Sequence, residues 1–311
     1  MKKVLIVGFG NHAQRRILPA LKSINQIDDI VVTSRSNKKN YTDEIVYLNK
    51  NDILNSDIFF DAVIISSYPN VHIDNLKEFK NKSNTFLIEK PVTNYLEYLE
   101  SSEYLGFHNN YAARECLMYF HHPIYRKFQE IINSDKIEAI SASFQIPHIE
   151  NNNFRYSKAL GGSAILDQGV YPISLILENF KLIDNSIDSS IDIQDNQSID
   201  SSGYLSCKSE GGVEININWG IGFEYSNFVE VISKGIIYSF PMFFSKPENF
   251  LSVYKTTSQG KEETVALGTF DQFKIMYEDM IINQKEFSYN SYDNLCKRYS
   301  FIRKLLNDKI S

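Results

Sequence analysis

The sequence is poor in the residues that staple or metallate a fold. Its three cysteines, Cys116, Cys207 and Cys296, stand far apart in 311 residues. Their spacing matches no zinc motif, and an odd number of scattered thiols builds no disulfide framework. They are read as small core filler in a reducing, cytoplasmic setting, and no metal site is expected. Basic charge is also short: 32 Lys and Arg stand against 38 Asp and Glu, a net charge of −6. No long basic run compensates, so nucleic acid is not an expected partner. No apolar run reaches eighteen residues, and the stretch from Val4 to Val7 is far too short for a signal-peptide core. Neither a membrane span nor a membrane partner is therefore expected. What remains is ordinary globular composition, 43% hydrophobic and 23% charged, in a length that suits two domains.

The first twenty residues organise the rest. Val4 to Val7 is wholly apolar, the pattern of a strand buried on both faces. Gly8-Phe9-Gly10 follows at once, and then a helical pattern from Asn11 to about Ile24, with Ala13, Ile17, Leu18 and Leu21 on its apolar stripe. Strand, glycine turn and helix in this order form a dinucleotide-binding arrangement. Gly8 permits the tight turn, Gly10 lets the backbone approach a phosphate, and the helix N-terminus offers N–H groups and partial positive charge to a pyrophosphate. The third glycine of the usual pattern is replaced by Ala13. A plain strand–helix turn with no ligand is the alternative. Pro19 lies inside the helical pattern and is expected to kink it or to start its last turns anew.

A second strand, Asp29 to Thr33, ends without the carboxylate that holds the ribose hydroxyls of NAD. Ser34, Arg35 and Ser36 stand there instead, with Lys38 and Lys39 beyond. A hydroxyl and a guanidinium suit a 2′-phosphate, so NADP(H) is preferred over NAD(H); a solvated basic loop is the alternative. Ala62 to Ser66 is another doubly buried strand, and its carboxyl end carries Ser66, Ser67, Tyr68, Pro69, Asn70, Val71 and His72. His72 opens a helix and, taken alone, reads as a packing residue. Thr85 to Ile88 is the next strand, ending in Glu89-Lys90-Pro91, where proline holds Lys90 extended at the strand's carboxyl end. A helix from Asn94 to about Leu105 and a strand near Glu115 to Tyr119 complete an N-terminal domain, residues 1–120, of the Rossmann type.

The pattern then changes. His121-His122-Pro123 opens a helix running to Ser134, and Ile137 to Ile146 reads as a long strand. A polar loop containing Arg155 and Tyr156 leads to Gly161-Gly162 and a helix from Ala164 to about Asn179. Asp167 and Tyr171 lie four apart and share a face of that helix. This pair could front a cleft, or it could be a capped helix with a surface tyrosine. Asp184 to Ser202 has a low-complexity look with an embedded strand. Four further runs, Tyr204–Lys208, Val213–Trp219, Phe228–Ser233 and Gly235–Phe240, read as antiparallel strands, with two more at Val253–Thr256 and Glu263–Ala266. Two amphipathic helices close the chain. The expected fold class is α/β: the N-terminal Rossmann domain plus a C-terminal α/β domain, residues 121–311, with a large, mostly antiparallel open sheet. The open face of that sheet implies a homodimer or homotetramer.

Four motifs now stand in fixed order: GFGNHA, SSYPNVH, EKP and GGSAILDQGVYP. Together they resemble the glucose-fructose oxidoreductase/inositol dehydrogenase (Gfo/Idh/MocA) family over nearly the whole chain. Members commonly carry His where Tyr171 stands and Asp where Ser174 stands. The tyrosine form resembles the branch holding glucose-fructose oxidoreductase, dimeric dihydrodiol dehydrogenase and the nucleotide-sugar 3-ketoreductases. The stretches RRILPA, MYFHHPIYRK, NFRYSKALGGSAILDQGVYP and NFVEVISKG look most like the last group.

The resemblance implies an NADP(H)-dependent oxidoreductase that reduces a ring ketone of a deoxysugar, free or nucleotide-linked. Under it the cofactor is held by Gly8, Gly10, Asn11, His12, Ala13, Ser34, Arg35, Ser66, Tyr68, Pro69, Asn70, His72, Glu89 and Lys90. Tyr171 is the general acid, Lys90 supplies the ammonium that lowers its pKa, and Asp167 orients the substrate or Lys90. His122, Arg155 and Tyr156 are expected substrate contacts. A sugar or dihydrodiol dehydrogenase working in the oxidative direction, or a non-catalytic NADP-binding protein, are the alternatives.

Overall fold

The computed structural model describes residues 1–35, 45–150, 152–194 and 199–307. Ser36, Lys38 and Lys39 of the basic turn lie outside the described residues. The chain gathers into two compact units. Met1–Cys116 and Phe273–Cys296 form the first; Leu117–Gln272 and the residues from Lys297 on form the second. The expected division was one crossing between residues 120 and 121, whereas here the chain returns to the first unit before leaving it again.

The first unit is built on a six-stranded parallel sheet. Its strands are β1 (Lys2–Val7), β2 (Ile27–Thr33), β3 (Val46–Tyr47), β4 (Ala62–Ile65), β5 (Phe86–Glu89) and β6 (Ala113–Cys116), in spatial order β3-β2-β1-β4-β5-β6. The side chains of β4 and β5 are buried throughout, as are Val4 to Val7 of β1, so both faces of these strands are covered. The order reverses between β1 and β4, the switch point at which such sheets bind ligand. Register matters more than order. Val7 pairs with Thr33 on one side and Ile65 on the other, and Ile65 pairs with Ile88. Gly8, Ser34, Ser66 and Glu89 are therefore delivered to one edge of the sheet, each just past or at the end of its strand.

The helix after β1 runs through a π-helical turn, Ala13–Ile17, into α1, Leu18–Lys22. Pro19 has no N–H to give to the preceding turn, and the wider π turn immediately before it absorbs the missing bond. The helix expected from Asn94 to Leu105 is instead two pieces, a 3₁₀ turn at Leu96–Glu100 and a helix at Ser102–Asn110. Ser101 separates them, extended and capping the second piece through its Oγ, which accepts the Tyr104 N–H at 3.2 Å.

The second unit is an eight-stranded sheet of β7 (Ile137–Ile146), β8 (Asp188–Gln194), β9 (Ile199–Lys208), β10 (Glu214–Ile221), β11 (Ser226–Ser233), β12 (Ile236–Pro241), β13 (Leu251–Ser258) and β14 (Lys261–Thr269). The order is β14-β13-β12-β11-β7-β10-β9-β8, and only the β7–β10 pair is parallel. Along β10, Ile215, Ile217 and Trp219 are buried while Glu214, Asn216 and Asn218 are exposed, the alternation of a sheet with one face on a core. A second π turn, Ile165–Gly169, runs into a helix at Val170–Asn179, again just before a proline, Pro172. This stretch is apolar enough to pass for a membrane helix by composition, but 83% of its most apolar window is buried in the fold. Trp219 explains two glycines nearby: a Cβ on Gly169 would stand 3.0 Å from its ring, and one on Gly203 2.5 Å.

Candidate functional site

In the first unit the carboxyl edge of the sheet gathers the expected cofactor residues. Gly8 has φ +93°, and a Cβ there would lie 2.7 Å from the Ser66 carbonyl oxygen and the Ser67 nitrogen. Only glycine lets the turns after β1 and β4 approach this closely. Nothing stands within 4 Å of the position a Cβ on Gly10 would take. Gly10, Asn11 and His12 are exposed, while Ala13 is buried against the fold. The absence of the third glycine is thus explained by a site where a methyl packs without conflict. Ser34 is half-buried, and its carbonyl accepts the Tyr47 hydroxyl at 2.6 Å. Arg35 is exposed beyond it.

The loop after β4 is organised by His72. Its ring is buried, with Nδ1 2.9 Å from the Pro91 carbonyl oxygen and Nε2 3.0 Å from that of Ser67. One side chain thereby ties the SSYPNVH loop to the EKP turn. Burial holds its pKa below the ordinary value, against the pull of those carbonyls and of Glu89. Its place is that of a clasp between two ligand-side loops. Tyr68 is exposed, Pro69 buried, and the Asn70 Oδ1 is buried with no hydrogen-bond partner among the described residues. Glu89 is buried at the end of β5 with its Oε1 3.2 Å from Nε2 of His12, which links EKP to the glycine turn. Lys90 is half-buried and precedes a cis proline.

In the second unit Tyr171 stands at the start of the helix that follows the double glycine. It is 4% exposed, and its hydroxyl donates to the Met118 sulfur at 3.6 Å. The rings of Phe144, Tyr119 and Phe244 surround it at centroid distances of 5.1, 6.0 and 6.0 Å. Asp167, one turn earlier, is buried, and its carboxylate is claimed twice: the Arg155 Nε and the Gln168 amide both donate to Oδ2. The expectation for Asp167 was that it orients substrate or Lys90; the contacts described here are with Arg155 and Gln168. The sequence spacing placed Asp167 beside Tyr171, but the partner that occupies it comes from twelve residues upstream. Gly162 makes that return possible, because a Cβ there would lie 2.5 Å from the carbonyl oxygens of Phe154 and Arg155. Tyr156 turns elsewhere, its hydroxyl accepting the Ile149 N–H at 3.2 Å.

His122 is fully buried, and it caps the helix Pro123–Ser134 through Nδ1, which accepts the Ile124 N–H at 3.0 Å; Nε2 lies 3.3 Å from the Ser252 hydroxyl. Both ring nitrogens of this expected substrate contact thus face groups of the chain itself. One residue escaped the sequence reading. Asp200, on β9, accepts the Ile165 N–H at 2.5 Å and so caps the helix bearing Tyr171 from a neighbouring strand. Burial raises its pKa, and the Ser163 hydroxyl and nearby backbone N–H groups oppose that rise. No local pattern announces a cap supplied from thirty-five residues away.

No model of a known protein family matches the chain. Among curated proteins, a dTDP-3,4-didehydro-2,6-dideoxy-α-D-glucose 3-reductase from Saccharopolyspora spinosa is 26% identical over 284 residues, which cover 88% of this chain and 84% of that enzyme. Among solved structures, a 3-ketoreductase from Actinomadura kijaniata, in complex with NADP and TDP-benzene, matches with a TM-score of 0.84 over 98% of this chain and 97% of its own, at 20% identity. A Gfo/Idh/MocA family oxidoreductase from Vibrio cholerae matches with a TM-score of 0.73 over 100% and 99%, at 15% identity. The fold is shared with the two solved structures: a parallel Rossmann-type sheet with helices and a second, mostly antiparallel sheet. They are also the family and the branch that the sequence motifs resemble.

Proposed function

We propose that the chain is an NADP(H)-dependent oxidoreductase that reduces a ring ketone of a deoxysugar carried on a nucleoside diphosphate. The observation that carries this reading is its near full-length likeness to the 3-reductase of Saccharopolyspora spinosa. The first unit supports the cofactor. A left-handed Gly8 packed on the next loop, open space before Gly10 and a helix start behind it suit a pyrophosphate. Ser34 and Arg35 suit the 2′-phosphate that separates NADP from NAD. When bound, NADPH supplies the hydride that the ketone carbon receives.

The chain's own part is to hold the sugar and manage one proton. Reduction leaves negative charge on the former carbonyl oxygen. Tyr171 gives that oxygen its proton, and Lys90 offers an ammonium that stabilises the developing charge. An unperturbed phenol, with a pKa of about 10, is a weak acid at neutral pH, so positive charge that stabilises the phenolate favours transfer. The apolar wall around the Tyr171 hydroxyl, Met118, Phe144 and Phe244, keeps water from competing for that proton and suits the methyl-bearing edge of a deoxysugar.

The test is a substrate panel. Purified protein with NADPH is offered nucleotide-linked 3- and 4-ketosugars, and with NADP⁺ free sugars and dihydrodiols, following the nicotinamide absorbance. Ketosugar-dependent loss of NADPH is expected. Turnover confined to the second panel would turn the proposal into an oxidative dehydrogenase. NADPH binding with turnover of neither would leave a non-catalytic NADP-binding protein.

A further inference from the structure

Arg155 was expected to touch substrate and Asp167 to orient the substrate or Lys90; the structure engages the two with each other at the helix that bears Tyr171. We propose that Arg155 is a positioning residue for proton transfer: balanced by Asp167, it sets the net charge beside the Tyr171 phenol and so the phenol's acidity. This rests on the reading of Tyr171 as the general acid and adds to it the group that tunes it within the same unit.

Four observations carry the inference. First, Arg155 is held, not free to sweep for ligand. Its backbone is pinned by the Asn153 Oδ1, which accepts the Arg155 N–H at 3.1 Å, and by the close approach of Gly162. Its guanidinium lies 4.8 Å from the centroid of the Phe154 ring. Second, the Asp167 carboxylate is 8% exposed, and it receives both the Arg155 Nε and the Gln168 amide. A buried carboxylate with two donors on one oxygen is a fixed counter-ion rather than a mobile base. Third, Asp167 precedes Tyr171 by four residues across the junction of π turn and helix, so the ion pair stands on the tyrosine's side of the helix. Burial works against the Arg155 charge, and Asp167 foremost, with Tyr171 as a lesser contributor, outweighs it and raises its pKa. Fourth, four groups that touch the phenol or its ring are uncharged: Met118, Phe144, Phe244 and Tyr119. Tyr119 is neutral there, since burial lifts its own phenol well above the usual range despite a hydrogen bond to Ser174. Among such apolar neighbours a fixed ion pair weighs more on the phenol than it would in water.

The pair makes a signed prediction. Arg155→Gln leaves the Asp167 carboxylate unbalanced, which disfavours phenolate and raises the Tyr171 pKa. Asp167→Asn leaves the guanidinium unbalanced, which favours phenolate and lowers it. Each shift is expected to be roughly one unit, a tenfold change in the ionisation constant. A purely packing role would loosen the site in both variants and move the phenol the same way in both.

The experiment is an NMR titration of protein carrying ¹³Cζ-tyrosine, the Tyr171 signal being assigned by its loss in Tyr171→Phe, with circular dichroism at each pH to verify the fold. Opposite shifts in the two variants, with the double variant Arg155→Gln/Asp167→Asn returning close to the parent, are the expected result. Shifts of the same sign, or none, overturn the proposal. Should one single variant fail to fold, the sign of the other decides. Neither cofactor nor sugar is present, so a negative result leaves the reductase reading standing, while normal turnover in Tyr171→Phe would remove that reading regardless of the titration.

Discussion

His122 carries a clear pH signature in the second unit. Burial, with the Lys246 charge as a lesser cause, lowers its pKa to about 3, so it is neutral in the folded chain at neutral pH. In the unfolded chain it protonates near 6.5. The unfolded state therefore binds the extra proton first, and stability falls as pH drops from about 6.5 towards 3. The loss reaches up to about 1.4 kcal/mol per pH unit for this one side chain. His122→Asn keeps an acceptor for the Ile124 N–H but cannot titrate, so urea melts between pH 6.5 and 4 should show a shallower decline. An unchanged slope would mean the ring is protonated in the folded state. The same residue shows what was legible at this scale. The His-Pro pair before an apolar-periodic run announced a helix start, but the partner of its other nitrogen, Ser252, comes from β13, far along the chain. Asp167 and Tyr171 were legible as one face of one helix. Arg155 as the owner of Asp167 was not, because helical periodicity says nothing of a loop that folds back over it.

The elements of the first unit were the most legible part of the chain. Doubly buried strands read as unbroken apolar runs, and glycine between strand and helix has few other meanings. Register was not legible, yet it brings Gly8, Ser34, Ser66 and Glu89 to one edge. The split at Ser101 was missed because a serine inside a mild helical pattern looks neutral until its side chain is seen to cap. The strand–turn–helix element makes its own prediction. Fluorescence titration should show NADPH binding more tightly than NADH, with Arg35→Ala weakening NADPH selectively. Gly8→Ala should weaken both and destabilise the fold by about 1–3 kcal/mol, since a methyl at φ +93° meets two backbone atoms at 2.7 Å. Equal affinity for both cofactors would place the 2′-phosphate away from Ser34 and Arg35.

At the scale of the whole molecule, the change from βα alternation to hairpin-linked strands marked where one unit gives way to the next. The return of 273–296 to the first unit was hidden, because side chains secure it rather than a pattern. Asn290 bonds the Glu115 backbone on β6 twice, accepting its N–H at 2.8 Å and donating to its carbonyl at 3.2 Å, in the manner of a strand partner. The two units thus supply different halves of the proposed chemistry: a cofactor cradle at the end of a parallel sheet, and an enclosed phenol with a tuned ion pair behind a double glycine. The claim that joins them is that Tyr171 protonates the oxygen of a ketone whose carbon receives a hydride from NADPH. The measurement that tests it most directly is single-turnover reduction of a nucleotide-linked 3-ketosugar by the preformed NADPH complex of the parent protein and of Tyr171→Phe. The account predicts rapid, sugar-dependent oxidation of NADPH in the parent, a rate lower by roughly 10²–10⁴-fold in the variant, and unchanged NADPH affinity. Equal rates in the two proteins would contradict it.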